Sequence, residues 1–196
     1  MMKKFSIFAI LALILLPANV LAAGAQGTGS GYGSPDGAAV TASAGSAQTL
    51  ALTADEVTWL TYMREEEKMA RDVYLMMYDK YKLRIFKNIA ASEQTHMDAI
   101  KKLLDKYSLA DPAAGKGIGE FTDPKIQALY NTLILQGSIS KVDAFKSGVI
   151  IEETDIDDLK KAIAAARHYD IIKVYNNLLL GSYNHLDAFN SQLAKY

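Results

Sequence analysis

From about residue 53 to the C-terminus the apolar residues recur at spacings of three and four, with no alternating run of useful length. That period predicts amphipathic helices and argues against strands. Thr53-Ala54-Asp55-Glu56 reads as a helix start, with Thr53 as N-cap and Glu56 placed to close a capping box. The first helix is expected to run to about Tyr81. A short reversal near Leu83-Arg84 leads into a second helix over about Ile85 to Tyr107. Asp111-Pro112 through Gly119 is rich in helix breakers and predicts a loop. Thr122-Asp123-Pro124 opens another helix, with proline near its first position, ending near Gly137. Ser138 or Ser140 caps the next, through about Glu153. Thr154-Asp155 either continues it with a bend or starts a short helix to about Arg167. Asp170 caps the last, which runs nearly to Tyr196. The expected class is all-α: an antiparallel four-helix bundle, with a short first hairpin and a longer crossover carrying an extra short helix.

A bundle seam advances in alternating steps of four and three. On the first helix those steps select Leu60, Met63, Glu67, Ala70, Tyr74, Met77 and Tyr81. On the second they select Phe86, Ile89, Glu93, His96, Ile100, Leu103 and Tyr107. If the third long helix is continuous, its seam is Val142, Phe145, Val149, Glu152, Ile156, Leu159 and Ile163. The fourth gives Ile171, Tyr175, Leu178, Ser182, His185, Phe189 and Gln192. Apart from Gln192 at the end of the fourth, every seam is thus apolar or aromatic except near mid-length, where Glu67, Glu93 with His96, Glu152, and Ser182 with His185 interrupt it. Glu93 and His96, three residues apart, lie about one turn apart on one helical face and can grip one ion from one side. Three carboxylates buried in an apolar core need counter-charge, and two imidazoles at the same level favour a transition metal over calcium or magnesium. Oxygen and nitrogen donors without sulfur suit iron or manganese, with zinc as an alternative.

Neighbouring residues receive structural readings. Met63 and Met77 fit core packing rather than copper ligation. Tyr74, two turns beyond Glu67 on the same face, either bonds a ligand or is a core tyrosine with its hydroxyl satisfied. His168 falls at a turn, Trp59 packs at the core or its edge, and Arg71 is expected to meet an acid on a neighbouring helix. The run Glu65-Glu66-Glu67 reads as a mostly solvated face, with only Glu67 in the seam register.

The N-terminus adds a compartment. Met1-Met2-Lys3-Lys4, an apolar run from Phe5 to Leu16, and Val20-Leu21-Ala22 form the pattern of a secretory signal peptide with cleavage after Ala22. The alternative is an uncleaved membrane anchor, although the run is short for a bilayer span, which takes about 20 residues. Residues 23–50 are a Gly/Ala/Ser-rich linker with too few hydrophobes for a core. Residues 51–196 are then one helical domain, expected outside the cytoplasm, in the periplasm, cell envelope or medium. There is no cysteine, which removes disulfides, thiolate ligands and cysteine catalysis. Net charge is −1, and no basic patch points to nucleic acid.

These residues resemble the ferritin-like superfamily. Glu67-Lys68-Met69-Ala70-Arg71-Asp72-Val73-Tyr74 is similar to the first-helix motif of rubrerythrins, and Ser92-Glu93-Gln94-Thr95-His96 to the second. The stretches from Gly148 to Ile156 and from Gly181 to Phe189 look like the later helices of a prokaryotic branch catalogued as domain of unknown function 2202. The likeness covers about Leu52 to Phe189. It implies a bundle with one or two iron ions that react with dioxygen or peroxide or oxidise ferrous iron; the long linker and irregular third helix favour a monomer or dimer over a ferritin-type shell. The likeness also implies Glu67, Glu93, His96, Glu152 and His185 as ligands, with Glu153 an alternative to Glu152. Ser182 departs from the pattern, which would have Glu three residues before His185, so one carboxylate is missing. Ser182 could orient a water or a ligand, or with Gly181 permit close helix packing. The rival to an iron oxidoreductase is a non-enzymatic, metal-stabilised binding module of the envelope.

Overall fold

The computed structural model describes residues 51–196. The expected signal segment 1–22 and the linker 23–50 lie outside the described residues. Five α-helices and no strand occur among the described residues: α1 (Ala54–Tyr81), α2 (Arg84–Lys106), α3 (Pro124–Gly137), α4 (Lys141–Ala165) and α5 (Tyr169–Leu193).

Local chemistry sets these boundaries. Thr53 and Glu56 form the expected capping box, with Glu56 N–H donating to Thr53 Oγ1 at 3.1 Å and Thr53 N–H to Glu56 Oε2 at 2.9 Å. α1 stops where Lys82 turns left-handed at φ 55° and donates its N–H to the Tyr78 carbonyl. Asp123 caps α3 ahead of Pro124, and Ser140 caps α4. α4 runs without a break through Thr154-Asp155, because neither residue is a helix breaker and Thr154 returns its hydroxyl to the Ile150 carbonyl. α5 begins one residue before Asp170, so Asp170 is a first-turn acid rather than the cap. It receives Lys106 Nζ and Tyr107 Oη from the end of α2.

α1 packs on α2, α3 and α4, while α5 packs on α4 and α2. The interior divides into two apolar clusters. One gathers Leu60, Met63, Ile100, Leu104, Leu159 and Tyr175. The other gathers Tyr74, Met77, Phe86, Phe145, Ile151 and Phe189, with Phe86 stacked on Phe145 at 5.4 Å between centroids. The residues separating them on each long helix are the polar mid-seam positions.

One side of α1 departs from the expected solvated face. Glu65 and Glu66 are each only 2% exposed. The cause is the α2–α3 connection, which folds over α1. Glu65 accepts the N–H groups of Thr122 and Asp123, the start of α3. Arg64 forks onto Asp111 at 2.9 and 3.0 Å. Lys68 reaches Asp72 and the Gly117 carbonyl at 2.6 Å each and lies 4.5 Å above the Phe121 ring. Gly119, at φ 78°, donates its N–H to Asp72, and a side chain there would collide with Tyr130. Arg71 pairs with Asp72 on its own helix and with the amide of Gln94 on α2, not with an acid across the interface.

Glu56 also ties the start of α1 to the turn between α4 and α5. Its Oε1 accepts the N–H groups of Arg167 and His168 at 2.7 and 2.9 Å and lies 2.8 Å from His168 Nδ1. Burial alone would raise this carboxyl. The backbone donors of Thr53 and Arg167 and both contacts from His168 outweigh it and hold the pKa at about 2, against an ordinary 4.5. A depressed carboxyl stabilises the fold above its unfolded pKa and loses that contribution as pH falls through the folded one. Glu56→Gln is therefore expected to cost about 1–2 kcal/mol at pH 7. The gap in Tm between wild type and variant should narrow as pH falls from about 4.5 towards 2, as thermal melts followed by circular dichroism would record. An unchanging gap across that window would contradict the assignment.

Candidate metal centre

The polar layer between the two apolar clusters brings together residues from four helices. Glu67 comes from α1, Glu93 and His96 from α2, Glu152 from α4 and His185 from α5. The three carboxylates are 1–2% exposed and both histidines 8%. His96 Nδ1 lies 2.8 Å from Glu93 Oε2 and 3.2 Å from Glu67 Oε2. His185 Nδ1 lies 2.9 Å from Glu93 Oε1 and 3.5 Å from Glu152 Oε2. The imidazoles face each other at 5.6 Å between centroids. Two triads result, Glu67–Glu93–His96 and Glu93–Glu152–His185, each with donor atoms within 4.8 Å of one another and each able to hold a metal ion. Glu93 belongs to both, with one oxygen turned to each histidine.

The electrostatics follow from this sharing. Burial pushes the Glu93 carboxyl up, but His185 and His96 overcome that and bring it to about 2. Burial would lower His96, yet Glu67 and Glu93 raise it to about 10; Glu152 and Glu93 do the same for His185. Glu67 and Glu152 have a weaker share of the imidazoles. Burial raises each to about 7, with the negative Glu93 adding to it. In the metal-free protein the histidines are thus the counter-charge. A cation taking Nδ1 as a ligand would compete with a proton there. Glu67 Oε1, Glu93 Oε1 and His185 Nδ1 are buried without a hydrogen bond among the described residues. Glu93 Oε1 and His185 Nδ1 are close enough to pair yet not aligned to bond. A converging set of oxygen and nitrogen donors with unused lone pairs fits a transition-metal ion.

Supporting contacts orient the donors. Tyr74 Oη donates to Glu152 Oε1 at 2.5 Å, across from α1 to α4. The outer nitrogen of His185 is 3.0 Å from Ser92 Oγ, the residue just before Glu93 on α2, which directs Nδ1 inward. Ser182 is 1% exposed and spends its hydroxyl on Asp155 Oδ2 and the Leu178 carbonyl. Glu153 points to solvent and does not reach the centre, because it is about 100° around α4 from Glu152. Asp155 and Glu66, by contrast, are buried beside the centre and were not anticipated. Asp155 lies three residues after Glu152, the same spacing that marks Glu93 and His96, so that spacing on a buried face wider than the seam was the signal for it.

A family model described as an uncharacterised protein domain, DUF2202, matches residues 56–195. The chain belongs to the DUF2202 family. Glu67, Glu93, His96, Glu152 and His185 all fall within the matched stretch. The chain is 52% identical over 145 residues to the uncharacterised protein MJ0754 of Methanocaldococcus jannaschii, covering 74% of this chain and 78% of that protein. The crystal structure of MJ0754 matches with a TM-score of 0.73, over 74% of this chain and 83% of that one. A DUF305 fragment from Deinococcus radiodurans matches with a TM-score of 0.54 at 11% identity, over 74% of this chain and 98% of the fragment. At that identity the likeness concerns the helical fold alone.

In this DUF2202 chain Gly181 has a specific part in the centre. A Cβ there would stand 2.6 Å from His96 Nε2 and 2.7 Å from its Cε1. The ring is pinned on its other side by Glu67 and Glu93, so it cannot yield without moving Nδ1. Gly181→Ala is expected to leave helical content intact while weakening metal binding about 10-fold or more. Calorimetric titration with zinc would measure it, and unchanged affinity would show that His96 does not hold the ion.

Proposed function

We propose that this chain is a ferritin-like carboxylate–histidine protein that holds two metal ions, iron foremost, with manganese or zinc as alternatives. The observation that carries the reading is the placement of Glu93, one oxygen towards His96 and the other towards His185, with Glu67 and Glu152 completing the two triads. A carboxylate shared between two donor sets suits a bridge between two cations. Helix order supports the ferritin-like topology. α1 and α5 pass from the Leu60 cluster to the Phe86 cluster, whereas α2 and α4 pass the other way. α2 and α4 thus run in the same direction, and their connection, carrying α3, returns along the bundle as a crossover.

Bound iron would supply one-electron redox chemistry towards dioxygen or peroxide. The chain's own residues do the rest. Glu67 and Glu152 would each help hold one ion, being less tightly engaged by the histidines than Glu93. Tyr74 keeps one Glu152 oxygen occupied and directs the other to the centre. The two apolar clusters above and below exclude water. The signal-like start of the chain favours export, so metal would be acquired outside the cytoplasm. The second reading, a metal-stabilised binding module without turnover, is favoured by the depth of the centre, whose donors are at most 8% exposed.

Elemental analysis of the purified protein, after anaerobic iron loading and removal of loose metal, tests the reading. About two ions per chain are expected, with both reduced or lost in Glu93→Gln. Stopped-flow absorbance should show ferrous oxidation, or peroxide consumption, faster than with free iron. A wild-type protein that retains no metal would sink the proposal, and retention without turnover would select the second reading.

A further inference from the structure

Two buried acids outside both triads keep carboxylate oxygens without a partner among the described residues. Glu66 is 2% exposed, and neither of its carboxylate oxygens has a hydrogen-bond partner among the described residues. Asp155 is 5% exposed. Its Oδ2 accepts from Ser182 Oγ at 2.5 Å, and its Oδ1 has no partner. Both lie on the α1–α4 side of the centre, next in sequence or one turn from Glu67 and Glu152. Burial raises the Asp155 carboxyl, and the charges of Glu67, Glu66 and Glu152 add to it. Burial likewise raises Glu66, with Asp158, Glu67 and Glu152 adding and only the outlying Lys161 opposing.

Protonation alone does not satisfy this arrangement. A neutral carboxyl still needs an acceptor for its O–H and a donor for its carbonyl oxygen. Glu66 has neither, and leaving such a group buried and unpaired costs about 1–3 kcal/mol. A cation beside these acids would give their unused oxygens a partner. The donors are all oxygen, which suits hard divalent ions that keep some of their own water.

We infer that Glu66 and Asp155 form a further carboxylate position for a divalent cation beside the two triads, with Ser182 setting the direction of Asp155. The inference rests on the metal reading of the triads. It also gives position 182 a role: the acid that α5 does not carry is supplied from α4, and the serine hydroxyl holds it in place. The centre is thereby widened towards α1 and α4, where Asp158 and Lys161 pair at 2.6 Å at the rim.

Manganese(II) titration of the full chain, reading free manganese by electron paramagnetic resonance, tests this. The Glu66→Gln/Asp155→Asn double variant keeps side-chain shape and leaves the triads whole. Wild type should bind one manganese more than the variant, or bind its weakest ion about 10-fold more tightly. Equal stoichiometry and affinity would overturn this position while leaving the triads standing. If Glu93→Gln also changes nothing, the two-triad centre falls and this position falls with it. Should the double variant not fold, anomalous scattering from manganese in wild-type crystals decides. A peak between Glu66 and Asp155 supports the position, and peaks at the triads alone overturn it.

Discussion

The interior of this protein depends on one carboxylate held between two imidazoles. Glu93 is charged in a place where an unpaired charge would cost several kcal/mol. It is tolerable there because His96 and His185 approach its two oxygens at 2.8 and 2.9 Å. One histidine is on its own helix and the other on α5, so the same contact links α2 to α5. Glu67 and Glu152 then join from α1 and α4, and all four long helices meet at one level. Helix packing in an apolar bundle tolerates sliding by a turn, because one ridge of leucines fits much like the next. A polar layer that matches at one level only removes that freedom, the use of buried polar groups best attested in coiled coils.

The layer also explains why the apolar residues fall into two clusters rather than one. Leu60 and Met63 on α1 are parted from Met69 and Tyr74 by the polar segment, and each other long helix repeats the division. Each cluster brings together residues from α1, α2, α4 and α5. The layer therefore sits between two independent regions of packing, which hold its donors from above and below. Tyr74 and Ser92 complete that support by hydrogen bonds to Glu152 and His185.

Much of this was legible in the sequence because the period of the seam survives the polar interruptions. Stepping by four and three from Leu60 lands on Glu67, and from Phe86 on Glu93 and His96. What the seam could not reveal was breadth. A core helix buries more than a two-position stripe, so Glu66 and Asp155, one position beside the seam residues Glu67 and Ile156, are inside as well. Glu65 and Lys68 were hidden for another reason. Their burial is caused by residues 111 to 123, a stretch whose glycines and Pro112 announce a loop but not where it lies. Glu153 failed as an alternative because a continuous α4 fixes its face, and nothing in Thr154-Asp155 interrupts that helix.

Residues 64 to 68 of α1 meet different surroundings in turn. Arg64, Glu65 and Lys68 grip the overlying connection, Glu66 faces α4, and Glu67 enters the metal centre. A helix clamped on opposite sides within five residues can neither roll about its axis nor creep along it without breaking several charged contacts together. Glu67 is therefore aimed by the outer wrapping of the molecule, and an ion entering the candidate centre would find it already in place.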